Sequence, residues 1–168
     1  MNFNNSEHNT EIQLLKGKTI RIKKLNISFN PWRGKLPKDT YGGKPIVCYA
    51  RKPCFPELAI LRIMCKEGWD GIWVDTYRKR YISANGKLTT LSVDKKKILE
   101  IIYQKAKNKY GAFDLFCWKG SDIKFIESKW KSKDKIRQTQ IKWLSAAIEC
   151  GFETNKFVIA EWQFNKTI

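Results

Sequence analysis

The sequence predicts an α/β layer architecture, and three observations carry that prediction. Short apolar runs of strand length recur at the start of 69–81 and at 113–118, 124–130 and 157–162. Between and around them, apolar residues recur at helical spacing near 57–68, 95–110 and 134–150, and such alternation of periods is the signature of helices packed on a sheet. Hydrophobic residues make up 42% of the 168, with seven Trp and nine Phe, which supports a packed core in one domain with an appended arm.

Taken in order, residues 1–11 are polar and read as a frayed tail, with neither the basic nor the apolar region of a signal peptide. No run approaches the roughly 18 apolar residues of a membrane span, so cytoplasmic residence without membrane association is the expectation. Lys16–Phe29 sets Thr19, Arg21 and Lys23 against Ile20 and Ile22, followed by Leu25, Ile27 and Phe29. That alternation predicts a strand or hairpin with one basic face. Pro31, Gly34, Pro37, Gly42 and Gly43 make 30–44 a loop. The chain therefore divides into a tail and basic arm, 1–44, and a main domain, 45–168.

Ile46–Tyr49 reads as a short strand. Phe55-Pro56-Glu57 opens a helix, since Pro suits the first turn and Glu complements the dipole. Leu58, Leu61, Met64 and Cys65 continue it, and Gly68 ends it. A strand from Trp69 runs into a basic turn at Arg78-Lys79-Arg80, and Asn85-Gly86 marks another turn. Asp94 caps a second helix over 95–110, with Ile98, Ile101, Ile102 and Ala106 inward. Phe113–Trp118 and Lys124–Trp130 form strands joined by the turn 119–122. A third helix spans about 134–150, closed by Gly151, and Phe157–Trp162 is the last strand.

Charge narrows the function. The 33 Lys and Arg against 16 Asp and Glu give a formal net charge of +17, a field that favours a polyanionic partner, nucleic acid ahead of an acidic membrane. Between Lys16 and Lys44 lie nine basic residues and one acid, Asp39. The residues expected to contact DNA are Lys16, Lys18, Arg21, Lys23, Lys24 and Arg33 on the arm, with Trp32 and Tyr41 to stack on bases, then Arg78, Lys79 and Arg80, and finally Lys131 and Lys133. The five cysteines are widely spaced without a CxxC pair, and His8 is the single histidine. A disulfide framework, a zinc site and Ser-His or Cys-His catalysis are thereby disfavoured, and Cys65 and Cys117 read as core residues.

Chemistry concentrates at 111–130. The spacing D-x-K or E-x-K occurs at Asp94–Lys96, Asp122–Lys124 and Glu127–Lys129. The first fits a solvated helix start and the second straddles a turn. The third lies inside an apolar strand, preceded by another apolar strand bearing Asp114. Glu127 and Lys129 share a strand face, and a hairpin brings Asp114 beside them. Two carboxylates suit Mg²⁺ or Mn²⁺. Such an ion offsets phosphate charge and acidifies a bound water, while Lys129 can orient that water and stabilise developing charge.

The runs G-A-F-D-L-F, F-I-E-S-K and D-K-I-R-Q-T-Q-I-K-W-L resemble the VRR-NUC branch of the PD-(D/E)xK nuclease superfamily over about residues 56–162. The resemblance implies a restriction-endonuclease-like αβββαβ core, a central mixed sheet flanked by helices, with an inserted helix and an N-terminal basic β arm. It implies a metal-dependent DNA endonuclease, structure-specific in some members. Asp114 and Glu127 would be metal ligands with the Ser128 backbone carbonyl, Lys129 the catalytic lysine, Gln140 the glutamine of the core helix, and Glu57 the first-helix glutamate, reaching the metal through water. Phe113 replaces the family's usual Pro, and Trp130-Lys131 its usual Gly-Pro. Some single-domain members of the branch act as dimers, so a homodimer is one expected arrangement. The alternative reading is a catalytically inactive nucleic-acid-binding module on the same scaffold, which would be silent in a Mn²⁺ titration.

Overall fold

The computed structural model describes residues 8–165; residues 1–7 of the expected tail lie outside the described residues. Alternation of apolar and polar side chains produces strands β1 (His8–Gln13), β2 (Thr19–Pro31), β3 (Val47–Tyr49), β4 (Lys52–Cys54), β5 (Asp70–Asp75), β6 (Arg80–Ser83), β7 (Leu88–Thr89), β8 (Leu115–Lys119), β9 (Asp122–Trp130) and β10 (Phe157–Phe164). Helical spacing produces α1 (Pro56–Lys66), α2 (Val93–Ala106) and α3 (Gln138–Glu149).

The strands form one mixed sheet in the order β4-β3-β2-β10-β9-β8-β5-β6-β7, with β1 added to β2. β10 runs parallel to both β2 and β9, and the other pairs are antiparallel. The basic strand β2 thus lies inside the sheet, in register with β10 from Lys23↔Val158 to Phe29↔Phe164. Its buried Ile20, Ile22, Ile27 and Phe29 follow the alternation of the sequence.

Two apolar cores lie on opposite faces of the sheet. Leu99, Ile102, Trp143 and Leu144 of α2 and α3 pack with Phe116, Phe125 and Phe157. Leu58, Ala59 and Leu61 of α1 pack with Leu115, Cys117, Ile126 and Val158. Neighbouring residues of β9, Phe125 and Ile126, go to different cores, as the pleat requires. Each fully buried Leu, Ile, Val or Phe among them contributes roughly 1.5–3 kcal/mol of transfer free energy. Among the described residues no helix is long and apolar enough to cross a membrane.

Several boundaries differ from the sequence expectation, each for a local reason. His8–Gln13 pairs with Lys24–Thr19 of β2, so the part of the tail from His8 onward is a strand. α3 starts at Gln138 because the Asp134 carboxylate accepts the Trp130 N–H at 3.1 Å and closes a turn after β9, where a short acid competes with helix. α2 ends at Ala106, where Lys107 turns left-handed (φ 48°). Its buried positions are Leu99, Ile102 and Ala106, whereas Ile101 is exposed. Cys117 is buried and Cys65 partly so, and all five cysteines are free.

Candidate active site

Strand alternation turns Glu127 and Lys129 to the same face of β9, and there they form an ion pair, Nζ to Oε1 2.8 Å. Both are almost wholly buried, at 1% and 6% exposure. Gln140, in the first turn of α3, supplies the missing partners: its amide donates from Nε2 to Glu127 Oε1, and its Oε1 accepts from Lys129 Nζ at 3.0 Å. The same Oε1 accepts the Arg137 backbone N–H at 3.0 Å, so one side chain caps the helix and fixes the pair.

Gly111 makes this approach possible. Its φ is +86°, and a Cβ there would stand 2.1 Å from the Thr139 carbonyl oxygen. Only glycine lets the chain entering β8 lie against the first turn of α3.

At this end of the sheet the β8–β9 ladder stops at Leu115↔Ile126. Beyond it, side-chain carboxylates take over the backbone donors. The Asp114 N–H donates to Glu127 Oε2 at 3.2 Å, and the Ser128 N–H donates to Asp114 Oδ2 at 3.0 Å. Burial raises the Asp114 carboxyl well above the usual range, and the charges of Glu127 and then Glu57 raise it further. Burial also raises Glu127, against the pull of Lys129. Two desolvated carboxylates side by side resist full ionisation unless a cation joins them.

Glu57, second residue of α1, is buried at the same cleft. Its Oε1 takes the Lys44 ammonium at 2.5 Å, while its Oε2 is buried without a hydrogen-bond partner. The cleft, of about 1220 Å³, is bordered by Asp114, Glu127, Ser128, Lys129, Gln140 and Glu57, so all six nominated catalytic and metal positions converge on it. Among the described residues no three His, Cys, Asp or Glu side chains stand close enough to cage an ion. The oxygen atoms that could hold an ion at the cleft are those of the Asp114 and Glu127 carboxylates with the Ser128 backbone carbonyl, and such ligands, completed by water, suit Mg²⁺ or Mn²⁺. The orphaned Glu57 Oε2 provides a further acceptor for such a water.

Of the residues expected to contact DNA, Tyr41, Arg78 and Lys133 border the cleft, where Lys135 and Arg137 join them. The others lie elsewhere. Lys16, Arg21 and Lys24 pair with Glu149, Glu11 and Glu161. Arg80 is taken up by Asp75 and the Tyr41 hydroxyl. Trp32 donates to the Lys35 carbonyl at 2.9 Å. Lys18, Arg33 and Lys131 are exposed, Lys79 occupies the turn before β6 with φ 52°, and Lys23 lies on β2.

Sequence reasoning missed Lys44 and Asp75, and it offered Tyr41 for base stacking, whereas the Tyr41 hydroxyl is hydrogen-bonded to Asp75 and Arg80. Asp75, buried at the end of β5, accepts from Tyr41 Oη at 2.8 Å and from Arg80 Nε at 2.9 Å. An acid closing the apolar run Trp69–Asp75 is the same kind of signal that marked Asp114, and it was legible. Lys44 carried none beyond its place at the end of the basic stretch, because it reaches the site from an irregular loop. Tyr77 and Tyr110, both exposed at the cleft, were equally unmarked. No family model, no curated protein and no solved structure matches this chain.

Proposed function

We propose that the chain is a Mg²⁺- or Mn²⁺-dependent nuclease that hydrolyses DNA phosphodiester bonds, built on the restriction-endonuclease-like core of the VRR-NUC branch. The observation that carries this reading is the meeting of the buried Glu127–Lys129 pair with Asp114 where the β8–β9 ladder breaks. A merely structural ion pair needs neither the break nor a second carboxylate with a raised pKa, and unpaired buried charge is costly to keep. The succession α1, β5, β8, β9, α3, β10 supports the αβββαβ core, with β6, β7 and α2 inserted.

Asp114, Glu127 and the Ser128 carbonyl would hold the ion, and Glu57 would reach it through water. When bound, the ion would offset the charge of the scissile phosphate and lower the pKa of a coordinated water. Lys129, fixed by Glu127 and Gln140, would orient that water and stabilise charge on the phosphoryl oxygens. Arg78, Lys133, Lys135 and Arg137 at the cleft would draw in the polyanion.

The test is a panel of labelled branched, linear and single-stranded DNAs with Mg²⁺ or Mn²⁺. The wild type should cut at least one of them. Glu127→Ala and Lys129→Ala should each lower the rate by roughly 10²–10³ or more while keeping the circular dichroism of the fold. Full activity in both variants sinks the assignment, and binding without cleavage by the wild type would support the binding-only module.

A further inference from the structure

The loop between β2 and β3 delivers a cation to the acidic centre, and its position is fixed from several sides. Arg78 pairs with Asp39 and places its guanidinium 3.8 Å from the centre of the Tyr41 ring. The Tyr41 hydroxyl is tied to the buried Asp75 and to Arg80. Just beyond, the Lys44 N–H donates to the Thr40 carbonyl at 2.8 Å, and its ammonium lies 5.3 Å from the Trp73 ring centre. From there Lys44 Nζ reaches Glu57 Oε1, with the lysine side chain still 37% exposed toward the cleft.

We infer that Lys44 is a resident cation of the site, standing where a second divalent ion would otherwise sit, so that the centre takes one ion. This rests on the nuclease reading above. The charge balance supports it. With a cation bound, Asp114, Glu127 and Glu57 are three carboxylates against the two ammonium groups of Lys129 and Lys44 at the same cleft. Asp75 with Arg80 and Asp39 with Arg78 cancel in pairs, so the excess is a single negative charge. One divalent ion then leaves the centre with one positive charge, which matches the one negative charge of a phosphodiester; a second ion would overshoot. The unpartnered Glu57 Oε2 shows that Lys44 satisfies half of that carboxylate and leaves the other half available. Removing the lysine would free a whole buried carboxylate whose charge already acts on Asp114, and a further carboxylate is what a second ion requires.

The experiment is calorimetric titration of the full chain with Mn²⁺ alone, without DNA. The wild type and Lys44→Arg should each bind one ion per chain. Lys44→Met, which keeps the apolar stem against Trp73, should bind two, and Lys44→Met/Glu57→Gln should return to one. Without metal, Lys44→Met should melt below the wild type because Glu57 is left uncompensated, and Mn²⁺ should restore it. Two ions on the wild type, or one on Lys44→Met, overturns the inference while leaving the nuclease reading intact. No binding by any of the proteins overturns both. Should Lys44→Met fail to fold even with Mn²⁺, Lys44→Gln, which also lacks the charge, is titrated in its place: two ions support the inference, and one overturns it.

Discussion

Asp114 is the residue whose environment asks most of it. It sits at the entry to β8 with one oxygen on the Ser128 N–H, and burial, then Glu127, then Glu57 raise its carboxyl above the ordinary 3.8. The sign of the consequence follows from proton counting. A raised folded value means the native protein binds more protons than the unfolded chain, so the stability this group contributes is present below its ordinary value and is lost as pH rises through the raised one. At pH 8 without metal the Asp114 carboxyl therefore works against the fold, and Asp114→Asn relieves it while still accepting from the Ser128 N–H. The variant should melt above the metal-free wild type at pH 8, by at least the roughly 2–4 °C that about 1 kcal/mol represents at this chain length. The gap should narrow toward pH 5. Mn²⁺ should stabilise the wild type, more strongly as pH rises, and leave Asp114→Asn almost unmoved. Thermal melts at both pH values, with and without Mn²⁺, measure all of this. A lower melting temperature for Asp114→Asn at pH 8 without metal would show that the corner is built to hold charge unaided.

The first turn of α3 does the positioning, and Gly111 is what admits it. Gly111→Ala meets two penalties: the left-handed backbone, about 1–2 kcal/mol for a residue with a Cβ, and a Cβ 2.1 Å from a backbone oxygen that cannot swing aside. Gly151 has φ +93° with open space around it, so Gly151→Ala meets the first penalty alone. Gly111→Ala should lose more stability than Gly151→Ala in denaturant melts, and should also lose most Mn²⁺-dependent cleavage because Gln140 is pushed away from Glu127 and Lys129. Equal activity in the two variants would falsify the positioning role. The sequence made much of this element visible. Gln140, Trp143 and Ala147 at helical spacing announced the face that meets β9, and Glu127 and Lys129 announced a shared strand face. The start of α3 was not visible, since Asp134 could equally cap a helix or close a turn, and only the Trp130 N–H decides between them. Nor could the sequence reveal that β2 lies inside the sheet. Its alternation fixes which side chains are buried, but its neighbour β10 is more than a hundred residues away and pairs in parallel, a choice made by the packing of the whole chain.

Across the molecule, the net charge of +17 predicts attraction to a polyanion without saying where it lands. The structure divides the basic residues into two populations. On the β1–β2 side several are matched by acids, as in Arg21 with Glu11 and Lys24 with Glu161. At the cleft, Lys133, Lys135 and Arg137 are exposed on the segment between β9 and α3, next to the buried acids. Each phosphate neutralised by a basic side chain contributes roughly −0.9 to the slope of log affinity against log salt on duplex DNA. If the cleft is the binding surface, replacing Lys133, Lys135 and Arg137 together by Gln should flatten that slope by about two to three and weaken binding at low salt. Replacing Lys18, Arg33 and Lys35, also exposed but away from the cleft, should change it by less than one. Both triple variants lose the same formal charge, so a uniform field would weaken them equally. Fluorescence-anisotropy titrations of one labelled duplex between 50 and 200 mM salt, about the range in which such contacts dominate, separate the two cases. Equal slopes for the two variants would mean that DNA is held by the field of the whole surface, and that the acids of the cleft meet it only by chance encounter.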